Sequence, residues 1–114
     1  LAANLARVLP ADLVATVDRS SWQVPAVFEV VRSLGQVPWD DLESTLNLGV
    51  GMVAIVAPEA VDHALGALAG RGVPAWVLGQ VRQTDDVAPG AAVVRGTKGV
   101  HGGGVQMSGN YRTG

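Results

Sequence analysis

Glycine limits the fold of this chain most, because of where it falls. Eight of the 15 glycines lie in the last 25 of the 114 residues: Gly90, Gly96, Gly99, Gly102, Gly103, Gly104, Gly109 and Gly114. Glycine loses more backbone entropy on folding than any other residue, so such a stretch is hard to order without outside contacts. The distribution divides the sequence into a packed body, residues 1–82, and a glycine-rich, flexible C-terminal tail, residues 83–114, with one strand over Ala91–Arg95. A chain of 114 residues supports one small domain.

Composition removes several functions. Eight basic and 10 acidic side chains leave a formal charge of −2, which argues against binding nucleic-acid phosphates. With no cysteine there is no disulfide framework, no thiolate zinc site and no cysteine nucleophile, and a cytoplasmic location is expected. No apolar run approaches the roughly 18 residues of a membrane span. Two distant histidines and no acid cluster give no metal site. Charged residues are 16% of the chain against roughly 25% in ordinary soluble domains, while 48% are hydrophobic. That balance points to a domain that covers part of its surface with a partner. The chain begins at Leu1 without Met and reads as a piece of something longer.

The body alternates strands and helices. Leu13–Asp18 (LVATVD) reads as a strand. Pro25 opens a helix whose buried stripe is Val27, Phe28, Val31 and Leu34, with Gly35 as its C-terminal cap. Pro38–Leu46 forms a second short helix, with Asp40, Asp41 and Glu43 near its start. Val50–Val56 (VGMVAIV) reads as a strand covered on both faces. Pro58–Gly70 is a helix with Val61, Leu65 and Leu68 buried and His63 solvated, and Ala75–Val81 is another strand. The expected fold is α+β, a mixed sheet flanked by helices in α/β/α layers.

Few residues suggest chemistry. In Asn47-Leu48-Gly49-Val50-Gly51-Met52 the paired glycines permit a sharp turn whose free N–H groups can hold an anion, or simply a tight entry into the next strand. Arg7, with Asn4 in the same stretch, can clamp a phosphate or stand as an ordinary surface arginine. Ser20-Ser21-Trp22 can orient a ligand, but capping and anchoring the following helix is the simpler role. His101-Gly102-Gly103-Gly104 lacks the nucleophile elbow of a hydrolase, and Gly96-Thr97-Lys98-Gly99 lacks a phosphate-loop frame. No catalytic acid–base set emerges.

Four blocks in order carry more. NLARVLP (Asn4–Pro10), SSWQVPAVF (Ser20–Phe28), TLNLGVGMV (Thr45–Val53) and AWVLGQV (Ala75–Val81) together resemble the C-terminal domain of the phosphoribosylformylglycinamidine cyclo-ligase family, the aminoimidazole ribonucleotide synthetases. The resemblance covers residues 1 to about 82, and the tail matches only loosely. Ala6 stands where that family commonly has Pro, and Leu46 and Leu48 where Phe and Met are common.

The resemblance implies an enzyme of purine biosynthesis. It would close the imidazole ring of aminoimidazole ribonucleotide from formylglycinamidine ribonucleotide, with ATP and Mg2+ held mainly by an N-terminal ATP-binding domain that these 114 residues do not include. It also implies a homodimer for the intact enzyme and no activity for this piece alone. Neither a nucleic-acid nor a membrane partner is expected. On the same ground Asn4, Arg7, Asn47, Gly49 and Gly51 become expected substrate or phosphate contacts. The alternatives are a non-catalytic binding or assembly module, or another enzyme of the superfamily such as a selenophosphate synthetase or thiamine-phosphate kinase.

Overall fold

A computed structural model describes residues 1–87, 92–96 and 102–114. Helix α1 (Ala2–Val8) leads to strand β1 (Leu13–Asp18), a single 3-10 turn at Arg19–Ser21, helix α2 (Ala26–Gly35) and helix α3 (Trp39–Thr45). A second 3-10 turn (Pro58–Ala60) runs into helix α4 (Val61–Gly70), followed by strands β2 (Gly79–Gln83), β3 (Val94–Arg95) and β4 (Gly104–Ser108). The strands form one mixed four-stranded sheet in the order β2-β1-β4-β3. β1 runs antiparallel to β2, with Ala15 opposite Val81, and parallel to β4, with Ala15 opposite Val105. No described helix is long and apolar enough to cross a membrane.

β1 is the middle of the core. Val14 and Val17 are buried, as expected of a β-branched run flanked on both sides by strands. α1 packs against β3 and β4 through Leu5 and the fully buried Ala6, and Leu9 follows them inward. Trp22, Val24, Leu42, Leu48, Val50 and Val105 complete the same cluster.

The C-terminal residues correct the expected division into body and tail. β4 lies inside the sheet, and Val105 is fully buried between β1 and β3. The glycines there serve close approach. A Cβ at Gly103 would stand 2.4 Å from the carbonyl oxygens of both Leu13 and Pro10, and one at Gly102 would stand 2.4 Å from that of Ala6. Composition alone does not separate glycine used for freedom from glycine used for lack of volume. The expected strand Ala91–Arg95 is described only from residue 92 and pairs at Val94–Arg95. Thr97, Lys98, Gly99 and His101 of the two glycine-rich motifs lie outside the described residues, as does Gly90.

Two apolar segments depart from expectation. Val50–Val56 forms no strand; Val50 is buried, but Met52 is 91% exposed and Ile55 and Val56 are exposed too. Both edges of β1 are taken by β2 and β4, and the segment adds to neither of the outer strands, β2 and β3. The expected strand at Ala75–Val81 pairs only from Gly79 onward. On α2, Phe28 packs against the core while Val27, Val31 and Leu34 are exposed, Leu34 at 83%. The helix ends not on Gly35 but on Gln36, whose φ of +53° makes it the left-handed cap. The helices at Trp39–Thr45 and over Pro58–Gly70 stand where expected and His63 is exposed, but the expected stripe is not buried: Val61 and Leu65 are half-buried and Leu68 reaches solvent.

Gly103→Val tests the crowded entry to β4. The substitution is expected to lower unfolding stability by at least about 1–3 kcal/mol in urea denaturation, because backbone rather than a flexible side chain blocks the new atoms.

Candidate functional site

The block Thr45–Val53 leaves α3 and makes a tight turn before the extended apolar segment. The Val50 N–H donates to the Asn47 carbonyl at 3.1 Å, closing the turn. Its two central residues are both left-handed, Leu48 at φ +54° and Gly49 at φ +108°. Glycine takes that conformation freely, whereas leucine takes it only when its surroundings hold it there. Here the Leu48 side chain is buried in the core, and its carbonyl accepts the Trp22 indole N–H at 3.0 Å. A Cβ on Gly49 would stand 2.6 Å from Pro25 Cδ, so the turn lies directly against the entry to α2.

This geometry refines the expected anion contacts. The Gly49 N–H donates to Asn47 Oδ1 at 2.9 Å, and the Val50 N–H is already used. Asn47 thus serves as a turn-former, and two amides of the block are spent inside it. Gly51 differs: it is exposed, nothing lies within 4 Å of a Cβ built on it, and its amide has no backbone partner among the described residues.

Asn4 and Arg7 sit one turn apart on the exposed side of α1, where the Arg7 guanidinium donates to Asn4 Oδ1. Among the described residues no hydrogen bond or cavity joins this pair to Asn47, Gly49 or Gly51. The link between the two places is the core itself, where Leu5 and Leu9 share one cluster with Leu48 and Val50.

Ser20 and Ser21 do not cap α2; Pro25 occupies that position with no side-chain cap. Instead Asp18 Oδ1 accepts the Ser20 N–H at 2.8 Å and the Ser20 hydroxyl at 2.6 Å, and these bonds, the hydroxyl's first, hold the Asp18 carboxyl below its ordinary range. Trp22 is the expected buried anchor.

Sequence reasoning missed a polar cluster beside the turn. Arg19 donates from Nε to Glu43 Oε2 at 2.9 Å and from a terminal nitrogen to Oε1 at 3.0 Å, a two-pronged ion pair. The Tyr111 hydroxyl donates to the same Glu43 oxygen at 2.9 Å. With Trp39 and Asp40 these side chains line an open cavity of about 400 Å3. The Glu43 hydrogen bond raises Arg19 above its ordinary range. Burial, and then the bond to Glu43, push the Tyr111 phenol well above its ordinary 10.0. The single tyrosine is the signal that marks this site in sequence, but no motif connects residues 92 positions apart. Among the described residues no three His, Asp or Glu side chains converge on one point, so these residues do not themselves fit a magnesium site.

Two measurements follow. Trp22→Ala is expected to cost about 3–5 kcal/mol in stability, and Gly49→Val is also destabilising, because of its φ and Pro25. Gly51→Val should leave stability within about 0.5 kcal/mol. In an alkaline titration read by tyrosinate absorbance, Tyr111 should ionise above 10.0 in the folded chain and return to 10.0 in denaturant. The stability of the neutral phenol is present below 10.0 and lost as pH rises toward the folded value; Tyr111→Phe removes that alkaline loss.

Comparison with known proteins places the chain. A provisionally named phosphoribosylformylglycinamidine cyclo-ligase of Streptomyces fradiae is 50% identical over 111 residues, covering 97% of this chain and 55% of the relative. A bifunctional purine biosynthetic protein of Saccharomyces cerevisiae is 42% identical over 98 residues, covering 86% of this chain and 12% of its own length. A phosphoribosylformylglycinamidine cyclo-ligase of Sorangium cellulosum is 48% identical over 87 residues, covering 76% of this chain and 25% of the enzyme. The chain thus spans about half the length of the first relative and a quarter or less of the others. The Streptomyces match also carries the likeness into residues that the four blocks alone left out. The family described as AIR synthase related protein, C-terminal domain, matches residues 1–92, and the chain belongs to it.

Proposed function

We propose that this chain is the substrate-side part of an ATP-dependent cyclo-ligase that converts formylglycinamidine ribonucleotide to aminoimidazole ribonucleotide. The observation that carries the reading is the identity of 50% along 97% of the chain, taken with the left-handed turn that the Thr45–Val53 block builds. The exposed apolar side chains of Met52, Ile55 and Leu34 support a chain that packs against further protein, here an ATP-binding domain. Cytoplasmic location and a homodimer belong to the same reading.

The chemistry suits the groups present. An amide oxygen leaves poorly. Phosphorylating it gives an iminophosphate; the neighbouring nitrogen attacks that carbon, the ring closes, and phosphate departs with the former amide oxygen. Such transfer depends on positioning and on stabilising developing charge. In this chain the Gly51 N–H is the first of several amides after the turn that have no protein partner among the described residues, and Arg7, ordered by Asn4, is an exposed cation able to face phosphate. Asn47 and Gly49 contribute by shaping the backbone rather than by direct contact. ATP and Mg2+ are assigned to the ATP-binding domain.

The test combines the chain with the ATP-binding half of a longer relative and follows ATP-dependent ring closure. The chain alone should show no turnover, and the mixture should restore it. Arg7→Ala should lower kcat/KM of the mixture by about 10- to 100-fold, the value of one charge-assisted contact, and Gly51→Val, which keeps the N–H, should lower it by crowding the approach of phosphate to that backbone. Turnover by the chain alone, or full activity in both variants, contradicts the reading.

A further inference from the structure

We propose that the C-terminal strap, residues 109–112, is a clamp that holds Trp22 and thereby sets the Leu48–Gly49 turn, with Tyr111 as its positioning residue. The importance of that turn rests on the proposed substrate-side role; the clamp itself rests on geometry alone.

The strap is tied on both sides of Trp22. Before it, the Arg112 guanidinium donates to the Ser20 carbonyl at 3.4 Å, and Arg19 donates to the Gly109 carbonyl at 3.2 Å. After it, the Val24 N–H donates to the Arg112 carbonyl at 2.9 Å, beside a parallel bridge between Gln23 and Arg112. Between these ties the Tyr111 ring meets the Trp22 indole nearly edge-on, with centroids 5.6 Å apart and planes at 75°. On its other flank Tyr111 lies 5.4 Å from the Trp39 ring, and its hydroxyl is fixed by Glu43 Oε2, which also accepts from Arg19 Nε. Tyr111 is therefore constrained on each flank, and Trp22 is the side chain it constrains in turn.

What Trp22 holds is a backbone conformation that leucine does not choose unaided. Leu48 at φ +54° needs its carbonyl kept in place, and the Trp22 indole N–H is the donor that keeps it. Rotation of the indole by a fraction of its width breaks a 3.0 Å bond and frees the turn. The path Tyr111–Trp22–Leu48 is thus a contiguous set of contacts ending on a strained turn, the element whose equilibrium the clamp biases. Tyr111 touches no expected substrate contact; it acts through Trp22.

The test uses the whole chain labelled with nitrogen-15. In Tyr111→Leu the Trp22 indole N–H should exchange with solvent about two- to tenfold faster. The Gly49 and Gly51 amide resonances should move, while Val14 of β1 and Val105 of β4 keep theirs. Tyr111→Phe keeps the ring on Trp22 and should return the indole to its original protection. If the leucine variant does not fold, Tyr111→His, with a smaller ring, should show the same changes in lesser degree. Unchanged Trp22, Gly49 and Gly51 signals, or failure of phenylalanine to rescue them, overturns the clamp. Titrating the unaltered chain with formylglycinamidine ribonucleotide separates the two ideas. No shift at Gly51, with the Tyr111 response intact, removes the substrate reading and leaves the clamp standing.

Discussion

The parallel pairing of β1 with β4 is the constraint on which the rest of the structure depends. Parallel neighbours need a long crossover, and here it comprises everything from Arg19 to Gly103. Helices α2, α3 and α4, the left-handed turn and the apolar segment after it are all carried on that crossover. With β2 on its other side, β1 has no edge left, and Val50–Val56 pairs with neither of the sheet's outer strands, β2 and β3. The same pairing delivers the C-terminal strap to Trp22. The sheet and the turn are thus parts of one construction, joined where Trp22 leaves β1 and reaches Leu48.

Its energetics are lopsided. Ala6, Val14, Val17, Trp22 and Val105 supply a small apolar core, each almost wholly removed from water. Around it lie Leu34 and Met52, which gain little from folding within this chain, and Ile55, which stays about half exposed. So much uncovered apolar surface is in keeping with the proposed packing against further protein and with relatives roughly two to seven times its length. The polar interactions cluster elsewhere. Arg19, Glu43 and Tyr111 make a connected set in which both Glu43 oxygens accept from Arg19 and one also accepts from Tyr111, so their value lies in fixing a geometry more than in net stability.

What sequence revealed divides along physical lines. β1, α2, α3 and α4 were legible because their signals are local: β-branched residues in Leu13–Asp18, prolines before Ala26 and Trp39, and a capped apolar run over Pro58–Gly70. Burial was less legible. Val31 and Leu34 recur at helical spacing, but spacing says that a face is apolar and not that anything covers it. β4 was lost because Gly102–Gly104 looks like a flexible run, and only the neighbouring carbonyls show why side chains are excluded. At the site, Asn47, Gly49 and Gly51 were visible as a block, and their division of labour was not. Two of them close the turn while the third faces solvent, a difference set by hydrogen bonds that no spacing encodes. Arg19, Glu43 and Tyr111 were invisible because three separate elements bring them together.

The central claim is that residues 102–114 belong to the same folded unit as the turn at Leu48. Native-state hydrogen exchange of the full chain tests it most directly. The amides of Val105 and Gln106 should exchange only with global unfolding, at the same free energy as those of Val14 and Val17 across the pairing. Exchange of Val105 and Gln106 at the rate of an unstructured chain, with β1 still protected, would contradict the account.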